Sequence, residues 1–515
     1  MFKRFLPFLI ILLLFTACSN NSSKSDDSTL QIAVSQEPAT LDVMRNSSRV
    51  TRAILCGNVF ERVLTLNKEG EATGELASSY SFSEDGKVLK IKLRDGVRFH
   101  NGDVMDEEDV VLSLNRWIDN YEAVRSIVGE SRFKTNEELS IIIEGEKSLI
   151  LLPDMMAGSP YSAVVMPKEV FSTLDEKGFI TEVIGTGPYR FSSWNNGQFI
   201  RLDRFDDYTP YGDKDKEMDG LAGYKNAYIY TLIYNFVPDS VTRTAGIKAG
   251  QYYFDDDTVN DDREALKEDS SLVVSEGEED GSVVLVFNKK EGLASHKYIR
   301  KAINTALDLD LIMRARNGKD GYVLYPGYME SWQKEWAVSN LEAYYNINDK
   351  EEAKRILEEN GYDGTTFRIL TSNSSNMDRA AVAIKSELEK IGMNVELIIA
   401  DWSGMMSMRS DSSKYDMFIT AMTQVAIPTQ KLFLTPSYPG WSSDKKLSSL
   451  LSQFSNATTR EEASALWEKI QLYCFDYLPA IVAGHYVSGS LYRKELVGVE
   501  EYFGYYFYNA KIVKE

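Results

Sequence analysis

The chain is poor in the two residues on which disulfide-rich scaffolds and many metal centres depend. Its 515 residues include 3 Cys and 3 His. So few cysteines in a chain of this length exclude a disulfide scaffold, and so few histidines leave little for a histidine-rich metal site. His100, His296 and His485 lie in unrelated contexts, so each is predicted to be a structural or surface residue.

Long apolar runs and basic residues are also scarce. After the first residues, no segment approaches the roughly 18 apolar residues that a membrane-spanning helix needs. Lys and Arg number 57 against 77 Asp and Glu, which gives a formal net charge of −20. A general nucleic-acid binder needs a basic face to neutralise phosphates, so nucleic acid is excluded as a partner. The composition predicts a large, acidic protein of several domains whose body lies outside the membrane.

The motifs of common enzymes are absent as well. The sequence contains no Gly-x-Ser-x-Gly elbow, no phosphate-binding Gly-rich loop, no His-Glu-x-x-His and no Cys-x-x-Cys. A hydrolytic nucleophile needs a base and an orienting group, and no such constellation can be named. We therefore predict a binding protein without enzymatic activity, cofactor or metal site.

The N-terminus carries a targeting signal. A short basic start is followed by the apolar run Phe5–Phe15, and the sequence Thr16-Ala17-Cys18 then gives way to a Ser/Asn/Asp-rich stretch. Small residues before a cysteine resemble a bacterial lipobox, which implies cleavage before Cys18 and acylation of its thiol. We predict a signal peptide over 1–17, a lipidated tether over 18–29, and anchoring to the outer face of the cell membrane or, in a two-membraned cell, a periplasmic location. The alternative is an ordinary signal peptide with an incidental cysteine.

The body of the chain alternates between strand and helix patterns. Apolar residues alternate in the predicted strands Leu30–Val34, Val88–Leu93, Leu139–Ile143, Phe367–Leu370 and Val395–Ile399. Amphipathic helices are predicted from Asp106, over Glu351–Asn360 and over Ala380–Ile391. This alternation predicts an α/β protein with a mainly parallel sheet and at least two lobes. Cys56 and Cys474 could pair in an oxidising exterior, but both lie among apolar residues, so the favoured prediction is that they are buried free thiols.

Several motifs, in order along the mature chain, resemble the bacterial extracellular solute-binding proteins of the peptide/nickel class, family 5. They are Leu30–Asp42, Leu93–Gly102 with Glu108–Ser113, Gly185–Phe191, Ile299–Asp308 and Tyr492–Val499. The resemblance implies the substrate-binding subunit of an ABC importer, which captures a peptide or peptide-like solute and delivers it to permease and ATPase subunits. It also implies a monomer.

The same resemblance implies a two-lobed periplasmic-binding-protein-like α/β fold (type II, cluster C) with a hinge and an extra strand-rich subdomain. The first lobe is expected to comprise residues 30–45, 184–265 and 487–515. The extra subdomain, expected over 46–183, belongs to this first lobe, and the second lobe is expected over 266–486. Ligand would lie between the lobes, which close over it.

The ligand-binding positions of peptide-binding relatives are altered in this chain. Where such relatives carry an Asp that captures the peptide amine, this sequence reads Met422, Val425 and Ile427-Pro428, and the carboxylate-binding Arg is also absent. The alternatives therefore stay open: a non-peptide solute such as an opine-like or sugar-conjugated amino acid or a metal chelate, or a surface receptor or chaperone-like protein without transport. The candidate ligand-binding residues are Ser35, Gln36, Glu37, Asn58, Trp402, Met422, Gln424, Val425, Tyr438 and Trp441.

Overall fold

The computed structural model describes residues 29–46, 48–158, 162–257, 263–275, 277–502 and 504–513. The predicted signal peptide, Cys18 and all of the tether except residue 29 lie outside the described residues. Within them, no helix combines the length and apolarity needed to cross a bilayer. Two large sheets, each covered by helices, form the two lobes of an α/β fold, and a smaller sheet forms an extra subdomain.

The strands and helices have the following bounds. The strands are β1 Thr29–Val34, β2 Leu64–Leu66, β3 Ala72–Gly74, β4 Ala77–Phe82, β5 Val88–Leu93, β6 Lys134–Thr135, β7 Ile141–Glu144, β8 Tyr189–Asn195, β9 Phe199–Arg204, β10 Thr231–Phe236, β11 Phe254–Asp255, β12 Leu272–Val274, β13 Glu278–Phe287, β14 Tyr322–Val323, β15 Phe367–Ser372, β16 Val395–Ala400, β17 Met417–Thr423, β18 Ala480–Ser488, β19 Leu491–Arg493, β20 Leu496–Val497, β21 Glu500–Glu501, β22 Tyr505–Tyr506 and β23 Lys511–Ile512. The helices are α1 Arg49–Leu55, α2 Glu107–Asn120, α3 Glu122–Val128, α4 Leu152–Ala157, α5 Ser240–Lys248, α6 Arg263–Lys267, α7 Lys297–Ala306, α8 Leu309–Asn317, α9 Lys350–Glu359, α10 Met377–Glu389, α11 Trp402–Met408, α12 Lys445–Ser455 and α13 Arg460–Tyr477.

The first lobe is built on a sheet that draws its strands from three distant parts of the chain. Its order is β12-β19-β11-β1-β10-β9-β8. Strand β1 lies near the centre and runs parallel to β10 and β11, and the other pairs are antiparallel. The predicted boundary at 265/266 places β12 with the second lobe, whereas β12 pairs with β19 in this first sheet.

The second lobe is built on a mixed sheet of order β14-β18-β13-β17-β15-β16. Strands β15, β16 and β17 are parallel, but β13 is antiparallel to β17 and β18, and β14 is antiparallel to β18. The expectation of a mainly parallel sheet was therefore wrong. The reason is that β13 enters from the first lobe and β18 returns to it, so these long strands do not belong to a strand-helix-strand repeat.

The predicted elements of the second lobe form at the positions that the periodicity indicated. Helix α9 begins after Asp349, whose carboxylate accepts the Glu352 N–H, and α10 covers most of the predicted helix at 380–391. Apolar side chains of these helices and of α7 and α8 pack on one face of the sheet in a common core. The opposite face of the sheet is left to meet the rest of the molecule.

The extra subdomain contains the sheet β4-β5-β7-β6 and helices α2 to α4. Helix α2 begins where the acidic cluster predicted. Asp106 accepts the N–H groups of Glu108 and Asp109, and the Asp109 carboxylate accepts the Asp106 N–H in return, which forms a capping box. Trp117 of this helix is fully buried in the core that the subdomain shares with both lobes.

Two short crossover segments join the lobes. The chain leaves the first sheet between β12 and β13 and returns between β18 and β19, and the Ser275 N–H donates to the Ser490 carbonyl across the pair at 3.0 Å. Gly277 has a φ of +69°, and a Cβ placed there would lie 1.9 Å from the Ser488 carbonyl oxygen. Only glycine fits this crossing, because both the backbone angle and the close approach exclude a side chain.

Candidate functional site

A cavity of about 350 Å³ lies between the extra subdomain and the second lobe. This volume lies within the usual range of small-molecule pockets. One wall comes from α3, α4 and the turn before α4, and the other from the segment after β17 and from α12. The lining residues are Ala123, Ser126, Ile127, Lys147, Ser148, Ile150, Leu151, Met155, Ile427, Thr429, Gln430, Leu434, Thr435, Leu451, Ser452, Phe454, Ser455, Asn456 and Ala457.

The amide of Gln430 gives the cavity a defined polar group. The segment turns sharply at Pro428, which lets the Gln430 side chain reach back so that its Oε1 accepts the Ile427 N–H at 3.0 Å. This bond assigns the other amide atom, Nε2, as a donor. Gln430 is 7% exposed and its Nε2 has no hydrogen-bond partner. The buried hydroxyl of Ser148 on the opposite wall also lacks a partner.

The described lining of the cavity carries positive charge and no negative charge. Lys147 is the one charged side chain among its described lining residues, and that residue is exposed. The same lining contains no carboxylate. The polar residues of the described lining therefore carry amides, hydroxyls and one cation.

An arginine joins the two walls beside the cavity. Arg460, at the start of α13, donates to both carboxylate oxygens of Asp154 on α4 at 2.9 and 3.3 Å. It also binds the carboxylate of Glu335 through its Nε at 2.7 Å and through a second nitrogen. Burial raises the pKa of Asp154 to about 7, although Arg460 lowers it, and the two carboxylates raise the pKa of Arg460. This cluster stabilises contact between the extra subdomain and the second lobe.

A second contact between the lobes lies near the crossover segments. Arg49 of the first lobe donates to the Tyr505 hydroxyl at 3.1 Å, and its guanidinium lies 3.6 Å from the Asp280 carboxylate of β13. The Ser488 hydroxyl also donates to Asp280, at 2.8 Å. The void at this junction measures about 30 Å³, which is the share of one water molecule. Arg49 and Asp280 therefore join the first and second lobes at the hinge side of the cleft.

The structure brings some of the predicted site residues to one edge of the second sheet. Met422 lies at the end of β17, and Gln424 and Val425 follow it. Gln424 is 5% exposed and borders the junction near Asp280, and the Val425 carbonyl accepts the Gln333 side chain at 2.9 Å. Trp402 follows β16 at the same edge and is 50% exposed. The chain then continues from Val425 directly into the wall of the cavity.

Tyr438 and Trp441 lie elsewhere. Trp441 stacks on Tyr415, with ring centroids 6.4 Å apart, and the Tyr438 hydroxyl accepts from Arg409. Tyr415 precedes β17, so these rings lie at the opposite end of the strand from Met422. Tyr415 and Met422 are seven positions apart, which corresponds to about 23 Å along an extended strand. The tertiary structure therefore divides the predicted aromatic set into two places.

The predicted residues of the first lobe are largely engaged within that lobe. The Ser35 N–H donates to Asp256, and the Glu37 carboxylate accepts the indole N–H of Trp194 at 2.8 Å, while Gln36 is exposed. Asn58 was expected to face the cleft, but it is fully buried and donates to the Ile54 carbonyl and the Tyr234 hydroxyl. Its amide nitrogen therefore donates hydrogen bonds within the interior of the first lobe.

Sequence reasoning missed the residues that define the cavity and its closure. Gln430, Ser148, Arg460 and Asp154 belong to no motif, and each acquires its role from a contact across the fold. The single available signal was local: Gln430 follows Ile427-Pro428, where the peptide-binding pattern was seen to fail.

With this geometry in view, comparison with known proteins identifies the class. The family of bacterial extracellular solute-binding proteins, family 5 Middle, matches residues 71–444. The chain belongs to this family, whose members are solute-binding proteins that act outside the cytoplasm. The two-lobed fold and the crossover strands agree with that membership.

Curated relatives and solved structures extend the comparison. The chain is 23% identical over 462 residues to the probable peptide ABC transporter periplasmic-binding protein y4tO of Sinorhizobium fredii, covering 86% of each chain. It is 26% identical over 445 residues to the oligopeptide-binding protein AppA of Bacillus subtilis, covering 78% of each. The structure of AgaA from A. tumefaciens R10 in complex with agropinic acid superposes with a TM-score of 0.71 at 21% identity, covering 95% of this chain and 99% of that one.

Proposed function

We propose that this protein is the extracytoplasmic substrate-binding subunit of an ABC importer and that it captures a peptide or peptide-like solute between its lobes. A closed, occupied form would then dock on the permease and deliver the solute, with the ATPase driving transport. The protein acts as a monomer in this proposal. Similarity to proteins named as peptide and oligopeptide binders supports the peptide class of ligand.

The observation that carries the proposal is the cavity that two separate bodies of the fold enclose. Its walls belong to the extra subdomain and to the second lobe, and Arg460 ties these bodies together beside it. A ligand that fills the cavity contacts both walls and so favours the closed arrangement. Binding at this place therefore couples occupancy to the shape that a permease would recognise.

Among the predicted ligand-binding residues, we retain Met422, Gln424, Val425 and Trp402 as positions along the ligand's path. They share the sheet edge from which the chain runs into the cavity wall at Ile427. An extended ligand that occupied the cavity and followed this segment would pass them in turn.

A non-peptide solute is the second candidate, and a specific observation favours it. The cavity has no carboxylate among its described lining residues, so nothing there matches the free amine of an ordinary peptide. AgaA, which shares the fold, was solved with agropinic acid. An opine-like or sugar-conjugated amino acid is accordingly the alternative ligand class, and a metal chelate is the less supported one. A surface receptor or chaperone-like protein without transport remains the alternative of a different class.

Mass spectrometry of ligand retained through gentle purification is the first experiment. Thermal and denaturant stability would then be measured with the recovered compound and with pools of di- to oligopeptides. Ligand at about 100 times its Kd should add about 2.7 kcal/mol to the free energy of unfolding. Stabilisation by a non-peptide solute and by no peptide pool would overturn the peptide assignment. Normal uptake of the identified solute in a deletion strain would overturn transport.

The lipid anchor is proposed on the sequence of residues 16–18 alone. Two acyl chains hold a protein stably on a membrane, with about 0.8 kcal/mol for each buried methylene. Cys18→Ser should therefore release the protein from the membrane fraction, whereas Ser19→Ala should not. Equal membrane association of both variants would contradict acylation at Cys18.

A further inference from the structure

The cavity also indicates which end of a peptide-like ligand it would accept. Resting on the proposed function, we infer that this cavity selects apolar peptide-like ligands whose amino end is blocked, as in an N-acyl peptide, over ligands with a free ammonium group. The selection arises from one fixed donor, an apolar wall and the lack of a carboxylate. Each of these features is visible in the described lining.

The donor is the Gln430 amide. Its Oε1 is held by the Ile427 N–H, so the amide cannot rotate without losing that bond. Its Nε2 therefore carries N–H donors that have no partner and are closed to solvent, and Gln430 as a whole is 7% exposed, so a ligand oxygen would reach this donor after a small shift of the cavity lining. A buried donor without a partner is unfavourable, and an acceptor oxygen on a ligand would satisfy it. The acyl carbonyl of a blocked amino end supplies such an oxygen.

A free ammonium group finds no counterpart in the same place. It brings only donors, as does the Gln430 Nε2, and the one charged lining side chain, Lys147, is also a cation. Burying a charge is unfavourable unless an opposite charge pairs with it.

Two carboxylates, one beside the cavity and one at the hinge side of the cleft, are already bound by arginines. Asp154, next to the lining residue Met155, is bound through both oxygens by Arg460. At the hinge side, Asp280 is held by Arg49 and the Ser488 hydroxyl. An ammonium group that reached either acid would have to displace an arginine.

The apolar lining residues favour ligands with apolar side chains. Ile127, Leu151, Met155, Leu434 and Phe454 surround the polar groups. A volume of about 350 Å³ corresponds to roughly ten water molecules, which is room for an acyl group with an adjoining aliphatic side chain. An N-acylated peptide of aliphatic residues matches both the wall and the donor.

Isothermal titration of the protein with three probes tests this inference: N-acetyl-leucyl-leucine, leucyl-leucine and leucyl-leucine amide. We expect N-acetyl-leucyl-leucine to bind at least about tenfold more tightly than the two probes with a free amine, a difference of about 1.4 kcal/mol. The amide probe separates an effect of the amino end from an effect of the carboxyl end. Equal or tighter binding of leucyl-leucine would overturn the inference and leave the importer function standing. Binding of none of the three probes would overturn the inference, whereas stabilisation by a non-peptide solute and by no peptide pool would overturn the peptide assignment itself.

Substitutions at Gln430 make the test specific. Gln430→Leu removes the donor and should weaken binding of the acetylated probe about tenfold. Gln430→Glu keeps an oxygen for the Ile427 N–H and places a carboxylate where the donor was, so it should shift the preference toward leucyl-leucine. Gln453→Leu, an exposed glutamine on α12, is the matched control and should bind as the wild type does. Thermal melting of each variant checks folding, and an unchanged preference in a folded Gln430→Glu protein would overturn the inference.

Discussion

Replacement of Arg460 by methionine should weaken the contact between the extra subdomain and the second lobe, and the structure allows the loss to be estimated. Arg460 binds Asp154 on one side and Glu335 on the other. Methionine fills much of the same space but leaves both carboxylates without their cation. The protein should be less stable and less often closed.

The magnitude follows from burial. Removing one partner of a fully buried ion pair costs about 3–5 kcal/mol. The Asp154 side chain is 5% exposed, but Arg460 is 34% exposed, so solvent screens part of the interaction. We therefore expect a loss of about 2 kcal/mol in the free energy of unfolding. Arg355→Met is the control, because Arg355 is 55% exposed and pairs with Glu352 and Glu359 of its own helix α9, and it should cost under about 0.5 kcal/mol.

The loss should also depend on pH. Burial raises the pKa of Asp154 to about 7, so its protonated form favours folding at low pH, and that advantage is lost as pH rises through about 7. Without Arg460, the ionised carboxylate has no cation to offset its burial. The cost of Arg460→Met should accordingly be larger at about pH 8.5 than at about pH 5.5.

Urea unfolding and small-angle X-ray scattering at the two pH values provide the assay. A second variant, Arg460→Met with Asp154→Asn, removes the more buried of the two stranded charges and should regain at least about half of the lost stability. A cost for Arg460→Met no greater than that of Arg355→Met, or no recovery in the double variant, would refute the reasoning.

Three further predictions concern the hinge, a buried histidine and the free thiols. Gly277→Ala should lower the free energy of unfolding in urea by more than Gly361→Ala does. The two φ angles are alike at +69° and +71°, but a Cβ at Gly277 would clash with the Ser488 carbonyl oxygen across the hinge, whereas a Cβ at Gly361 would have open space. Burial lowers the pKa of His485 to about 4. The stability that its neutral form contributes is therefore present above about pH 6.5 and is lost as pH falls toward 4. His485→Asn should flatten this part of the pH profile of the free energy of unfolding. Cys56 and Cys474 are buried and free, so a thiol reagent should leave both unlabelled in the native protein and label both in denaturant; rapid native labelling would contradict this.

The sequence by itself determined much of the local structure and the class of protein. Alternating apolar residues located β1 and β5, and the acids at 106–109 located the start of α2, because these features depend on neighbours in the chain. The order of motifs indicated the solute-binding family that the comparison then showed. Two apolar neighbourhoods were enough to predict that Cys56 and Cys474 are buried free thiols.

Only the tertiary structure decided the pairing of the second sheet and the place of the cavity. Periodicity predicts a strand but not its partner, so the antiparallel path of β13 and β18 through the parallel strands was not visible in it. Arg460 and Asp154 lie 306 positions apart, and Gln430 lines a cavity with α3 and α4 because the fold brings these distant segments to opposite walls. Contacts of this kind depend on how distant segments pack, and no local pattern in the sequence specifies them.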